Sequence, residues 1–144
     1  LPDDPGTLVP VSYKVVHALH ARETIPKLQD LVRRLEGAVT FEGRRVLYSW
    51  IGATRRDWRG QGHFRALTEE SEAWALARGF DEVVVKTKNR YHAMRSVLDQ
   101  LEFNVVKYER NEADNLESKV YLSKLLKPET VAGHRSRRTV VQAE

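Results

Sequence analysis

Trp58-Arg59-Gly60-Gln61-Gly62-His63-Phe64-Arg65-Ala66-Leu67 links the most apolar predicted strand of the chain to its longest predicted helix. The two glycines let the backbone adopt positive φ and approach a ligand closely. The first N–H groups of the following helix have no partner within it, and the helix dipole adds positive potential at the same end. Together these features make an anion site suited to a diphosphate. Arg55, Arg56, Arg59 and Arg65 add positive charge around it, and Asp57 is the competing acid. A tight turn that needs glycine only for its backbone is the bland alternative, since Gly-x-Gly alone is weak evidence. The turn is not a Walker loop, because no Gly-Lys-Ser/Thr follows it. Nor is it a dinucleotide fingerprint, because the third glycine is missing and the strand before it does not open a βαβ unit.

Upstream of the turn, Val46 to Thr54 is apolar on both faces and is expected inside a sheet. Before it, Ala38 to Phe41 reads as a short strand and Glu42-Gly43 as a turn. Ile25, Leu28, Leu31, Val32 and Leu35 fall at helical spacing over Thr24 to Leu35, with Thr24 as N-cap, Pro26 in the first turn and Gly37 as the stop. Val11 to Leu19 is β-prone, and residues 1–10, with three prolines, read as an extended lead-in.

Downstream, Gly62 to Arg78 reads as a helix that ends at Gly79. Phe64, Leu67, Ser71, Trp74 and Ala75 lie along its expected inner side, with Trp74 in the core and Glu69, Glu70 and Glu72 on a solvated face. Asp81 to Thr87 is a buried-strand run, and Asn89 to Leu101 is helical again. Phe103 to Glu109 and Lys119 to Leu126 read as an antiparallel hairpin. The expected order is therefore β-α-β-β-α-β-α-β-β: one domain over residues 11–127, then a basic, flexible tail over 128–144.

The chain has 144 residues, enough for a single core, with 41% hydrophobic and 31% charged residues. No apolar run approaches the ~20 residues that span a bilayer. The first residues show no basic or apolar signal segment, and Leu1 rather than Met opens the chain, as in a trimmed or longer protein. The absence of cysteine excludes disulfides, thiolate metal sites and a cysteine nucleophile, and fits a cytoplasmic location. A net charge of +4 favours an anionic ligand, or nucleic acid through His134-Arg135-Ser136-Arg137-Arg138; a solvated tail is the plainer reading of that stretch. The five histidines form no metal constellation, and no Gly-x-Ser-x-Gly occurs.

The segment Trp58 to Leu67 resembles motif A of the GNAT (general-control-related N-acetyltransferase) superfamily, Arg/Gln-x-x-Gly-x-Gly/Ala after a β-bulged strand. Asn89, Ala93, Leu98 and Leu101-Glu102-Phe103 resemble its motif B at the right separation. The likeness covers residues 46–126 well and 11–45 only by element order. It implies a mixed α/β (α+β) fold: a mostly antiparallel central sheet, splayed at the cofactor cleft and flanked by helices.

It also implies acetyl-CoA as co-substrate. The diphosphate would sit on Arg59, Gly60, Gln61, Gly62, His63 and Phe64, and the pantetheine would pair with the strand near Ala53 and Thr54, with Asn89 against its arm. A substrate amine would attack the thioester directly. Three positions depart from the pattern: Phe64 replaces a motif A glycine, Glu102 replaces the glycine of the motif B Gly-Phe pair, and Leu98 stands where many members place a tyrosine that protonates the thiolate. Tyr91 or a water is then the proton source, or the thiolate leaves unassisted. For the base, Glu42, Tyr48, His17 and His20 are the options, each with a plain surface or strand role as alternative. Trp50, on the strand leading into the turn, is the best tryptophan for a substrate role.

Three functions follow: an N-acetyltransferase acting on a primary amine, a catalytically weak or inactive acyl-CoA-binding module, or a nucleic-acid-binding domain. No membrane partner is expected, nucleic acid is the least favoured, and a homodimer is compatible with the architecture.

Overall fold

Val46–Thr54 forms the strand that the apolar pattern predicts, here β2, and it lies inside the sheet between β1 (Ser12–Leu19) and β3 (Glu82–Lys88). The computed structural model describes residues 10–129 and 131. The remaining strands are β4 (Asn104–Glu109) and β5 (Lys119–Leu125), and the five-stranded order is β1-β2-β3-β5-β4. β2 and β3 are parallel; the other three pairs are antiparallel. The helices are α1 (Pro26–Leu35), α2 (His63–Ala77) and α3 (His92–Gln100). This is the expected mixed, mostly antiparallel sheet flanked by helices.

Strand alternation divides the core in two. Leu47, Val83, Val85, Val120 and Leu122 pack with Ala75, Leu98, Leu101 and Phe103 on the α2–α3 side. Val46, Tyr48, Val84 and Tyr121 pack with Leu28, Leu31, Val32 and Leu35 on the α1 side. Each buried Leu or Val side chain contributes roughly 1.5–3 kcal/mol of transfer free energy, so both faces hold the sheet.

Two local features position the site. Val15 faces Ile51 and Val16 faces Ser49, so Trp50 is the extra residue of a β-bulge in β2. The parallel pairing of β2 with β3 runs from Val46/Glu82 to Ser49/Val85 and stops at that bulge. Beyond it the two strands separate, β3 staying with β5 through Lys88/Lys119 and β2 with β1 through Thr54/Ser12.

Several expectations are corrected. Ala38 to Phe41 is not a strand: the N–H groups of Ala38 and Val39 donate to Leu35 O (3.0 and 2.9 Å) and close α1, while the Val39 side chain enters the core. Ile25, not Thr24, is the N-cap of α1, with Pro26 at its first position. α3 starts at His92, so Asn89 lies in the turn before it. The inner face of α2 carries Thr68, Glu69, Glu72 and Ala75, and Trp74 is exposed, stacked on Phe80 under the Arg78 guanidinium. Glu69 and Glu72 are thus buried rather than solvated, because each meets a cation inside: Arg65 Nε lies 3.1 Å from Glu69 Oε1 and Lys124 Nζ 2.5 Å from Glu72 Oε1.

Residues 128–144 do not all behave as a tail. Pro128 and Glu129 are helical, and Val131 packs into the α2–α3 core. The segment 134–138 lies outside the described residues, as does most of the expected lead-in. No helix among the described residues is long and apolar enough to cross a membrane.

Candidate functional site

β2 leads through Arg55 and a single 3₁₀ turn, Arg56–Trp58, into the glycine turn and α2. Arg59 Nε donates to Thr54 O (3.1 Å), folding the turn back over the strand end. Gly60 and Gly62 have φ of +78° and +84°, and a Cβ built on either would meet nothing within 4 Å. Their glycines are therefore required by backbone conformation rather than by lack of space.

Gly62 caps α2 with no side-chain hydrogen bond, and the first helical turn contains no acid. The first helical bond runs from Ala66 N–H to Gly62 O (2.9 Å), leaving the N–H groups of His63, Phe64 and Arg65 without a helical acceptor. His63 Nε2 is buried beside the Trp58 ring and has no hydrogen-bond partner among the described residues. Uncapped donors, a left-handed cradle and an orphaned imidazole nitrogen fit an anionic ligand at this end.

The turn opens into a cleft of about 730 Å³ where β2 and β3 part. β2 supplies Ser49, Trp50, Gly52, Ala53 and Thr54; the turn and α2 supply Arg59, Gly60, Gly62, His63 and Phe64; α3 and the residues before it supply Tyr91, Met94 and Val97. Lys14, Arg65, Lys86 and Arg90 line it too, and no carboxylate does among the described residues. A ligand entering it meets an electropositive, partly apolar slot.

Of the residues expected at the cofactor, Ala53, Thr54, Arg59, Gly60, Gly62, His63 and Phe64 come together here. Gln61 is exposed and does not line the cleft, and neither does Asn89. Its amide donates to Tyr108 OH (2.9 Å) and Asn115 O (3.0 Å) and its oxygen accepts from Arg95 (2.8 Å), so it ties the α3 entrance to the β4–β5 loop.

Of the catalytic options, Tyr91 lines the cleft with its side chain half exposed. Tyr48 is buried on the α1 side, stacked on Trp50 (centroids 6.2 Å apart), and burial raises its pKa. Glu42 is exposed in the turn after α1. His17 meets Trp50 edge-on at 5.8 Å, and His20 is exposed. Leu98 is fully buried in the core.

The sequence did not single out Lys14 or Lys86. Lys14 Nζ lies 4.9 Å from the Phe64 ring centroid. Its side chain runs past Gly52, where a Cβ would approach Tyr13 O to 3.2 Å and Lys14 Cγ to 3.8 Å. Desolvation pulls its pKa down to about 8, against the opposing pull of Glu72. Only strand alternation in β1 hinted at this position, and it does not distinguish a cleft from a core.

No protein-family model and no curated protein sequence matches the chain. Solved structures do. The NatC complex bound to Gag peptide and CoA matches 87% of this chain and 67% of its own, with 17% identity and a TM-score of 0.63. Arabidopsis thaliana NAA60 in complex with acetyl-CoA matches 88% of this chain and 70% of its own, with 11% identity and a TM-score of 0.62. Mosquito arylalkylamine N-acetyltransferase like 5b matches 81% and 68%, with 12% identity and a TM-score of 0.60. The chain therefore has the GNAT fold.

Proposed function

We propose that the protein is an acyl-CoA-dependent N-acyltransferase that moves an acetyl group from acetyl-CoA to a primary amine by direct attack. The observation that carries this reading is the uncapped N-terminus of α2, with Gly60 and Gly62 in left-handed conformation, opening into a cleft where β2 and β3 diverge and which no carboxylate among the described residues lines. Fold neighbours bound to CoA or acetyl-CoA support the same donor.

In this reading the N–H groups of His63, Phe64 and Arg65 and the Arg59 side chain hold the diphosphate. The edge of β2 past Ser49, free of β3, offers backbone groups to the pantetheine arm, and Phe64, Met94 and Val97 give it apolar wall. The bound donor supplies an activated thioester carbonyl. The acceptor's neutral amine forms the new C–N bond, the C–S bond breaks, and the thiolate takes a proton from Tyr91 or water. No carboxylate among the described residues lines the cleft, so in this reading the acceptor enters as its neutral amine and its proton passes to water, and turnover rises with the neutral fraction of the amine.

The test is thiol release from acetyl-CoA with a panel of amines, beside thermal stabilisation by acetyl-CoA alone. One observation favours a second reading, a binding module without turnover: Leu98 is sealed in the core where the resembling family often carries its acid. That reading predicts stabilisation by acetyl-CoA and no thiol release with any amine. The nucleic-acid reading gains nothing, since the basic segment 134–138 lies outside the described residues.

A further inference from the structure

The cleft is lined by residues from both faces of the sheet, and the two sides differ. On the α2–α3 side lie the glycine turn, Phe64, Met94 and Val97. On the α1 side lie Trp50, which packs against the α1-side core, and Lys86. Lys86 alternates along β3 with Val84 of that same core. Its ammonium stands 6.0 Å from the ring centroid of Tyr121, which belongs to the core as well. Lys86 is the first residue of β3 beyond the last pair shared with β2, so it stands where the opening begins.

The charges around Lys86 leave it uncompensated. From α1, Asp30 faces it but is bridged to Arg33 (3.0 Å) and Arg34 (2.7 Å). From β4, Glu109 is bridged to Arg34 (2.8 Å) and accepts from Tyr121 OH (2.8 Å). Lys119 of β5 and Arg34 itself repel it. Among the described residues Lys86 makes no ion pair, and no carboxylate lines the cleft. A half-buried cation whose neighbouring carboxylates are already bridged to arginines, at the mouth of a cleft, is a site for an anion. The diphosphate cradle lies on the other side of the sheet, so the donor's charged end does not serve it.

We propose that Lys86 sets acceptor choice: the amine acceptor carries a carboxylate or similar anionic group close to its amine, which Lys86 binds while Trp50 packs against the acceptor's apolar part. Polycationic amines are excluded by the same geometry, since their second ammonium meets Lys86 and finds no acid. This inference rests on the N-acyltransferase reading. A free α-amino acid and a peptide with acidic leading residues both present the required chemistry, and the assay separates them.

The experiment uses the full chain with CoA bound. Binding of phenylalanine, phenylalaninamide, phenethylamine, spermidine and a short acidic peptide is followed by calorimetry, and thiol release from acetyl-CoA is measured with the same panel. The anionic amines, either the amino acid or the peptide, should lead phenylalaninamide by at least about tenfold in affinity, and in kcat/KM once each rate is divided by the neutral fraction of its amine. Lys86→Met should erase that lead and leave acetyl-CoA binding unchanged. Lys86→Glu should move the preference toward spermidine. Equal binding of acid and amide, a preference for spermidine in the unaltered protein, or an unchanged preference in Lys86→Met overturns the inference. So does acetyl-CoA binding with no anionic amine bound or turned over. If acetyl-CoA itself fails to bind, the donor reading falls first.

Discussion

Ser49 and Val85 are the last residues that β2 and β3 share as paired neighbours, and the bulge at Trp50 begins where that pairing ends. The extra residue turns β2 away from β3 and leaves one of its edges facing the cleft rather than another strand. The glycine turn at the end of β2 then aims the start of α2 at the same opening.

Gly62→Ala tests the cradle. With φ of +84° and open space around it, alanine at this position is strained rather than obstructed. The strain costs about 1–2 kcal/mol. A tenfold or greater loss of acetyl-CoA affinity by calorimetry is expected, with a smaller drop in melting temperature than a core truncation gives.

Tyr91→Phe separates binding from catalysis. Tyr91 lines the cleft from the α3 side and is solvent-accessible. The change should leave acetyl-CoA affinity within about twofold and lower kcat by about tenfold, less than the usual range for a lost general acid because a thiolate leaves readily. Unchanged kcat would assign the proton to water.

Lys14 gives a pH signature. Its pKa falls to about 8 from the 10.5 of a free lysine, so between these values the unfolded chain holds more protons than the folded one. Stability attributable to Lys14 therefore rises as pH climbs from about 8 toward 10.5, and charging it below pH 8 is unfavourable. Lys14→Met should raise the melting temperature at pH 7, and the gain should fade by pH 10.

The buried pair Glu72–Lys124 tests whether the inner face of α2 is held by charge. Both side chains are almost wholly buried with a 2.5 Å contact, and desolvation is the largest influence on each, raising Glu72 and lowering Lys124. Lys124→Met leaves Glu72 charged inside and should cost about 3–5 kcal/mol in denaturant unfolding; adding Glu72→Met should recover much of the loss.

The sequence made the frame legible where period and chemistry agreed. Val46 to Thr54 was readable because it is apolar on both faces, and the turn was readable because glycine at Gly60 and Gly62 has a backbone cause. Glu72 was misread because its partner Lys124 comes from β5, distant in sequence, and Glu69 because the i,i+4 pair with Arg65, though visible in the helix, does not tell a solvated face from a buried one. Ala38 to Phe41 has strand-like residues but spends its N–H groups on closing α1. Asn89 matched a motif, yet its amide is engaged by Tyr108 and Asn115, distant in sequence. Lys14 and Lys86 gained meaning only once β1 and β3 flanked the same opening.

The most direct measurement is calorimetric titration of the unaltered protein with acetyl-CoA, followed by thiol detection with an amine panel. The account predicts saturable binding, stabilisation of about 2.7 kcal/mol at roughly a hundredfold excess over Kd, and thiol release with at least one primary amine. Absence of both heat and thermal stabilisation at millimolar acetyl-CoA would contradict it.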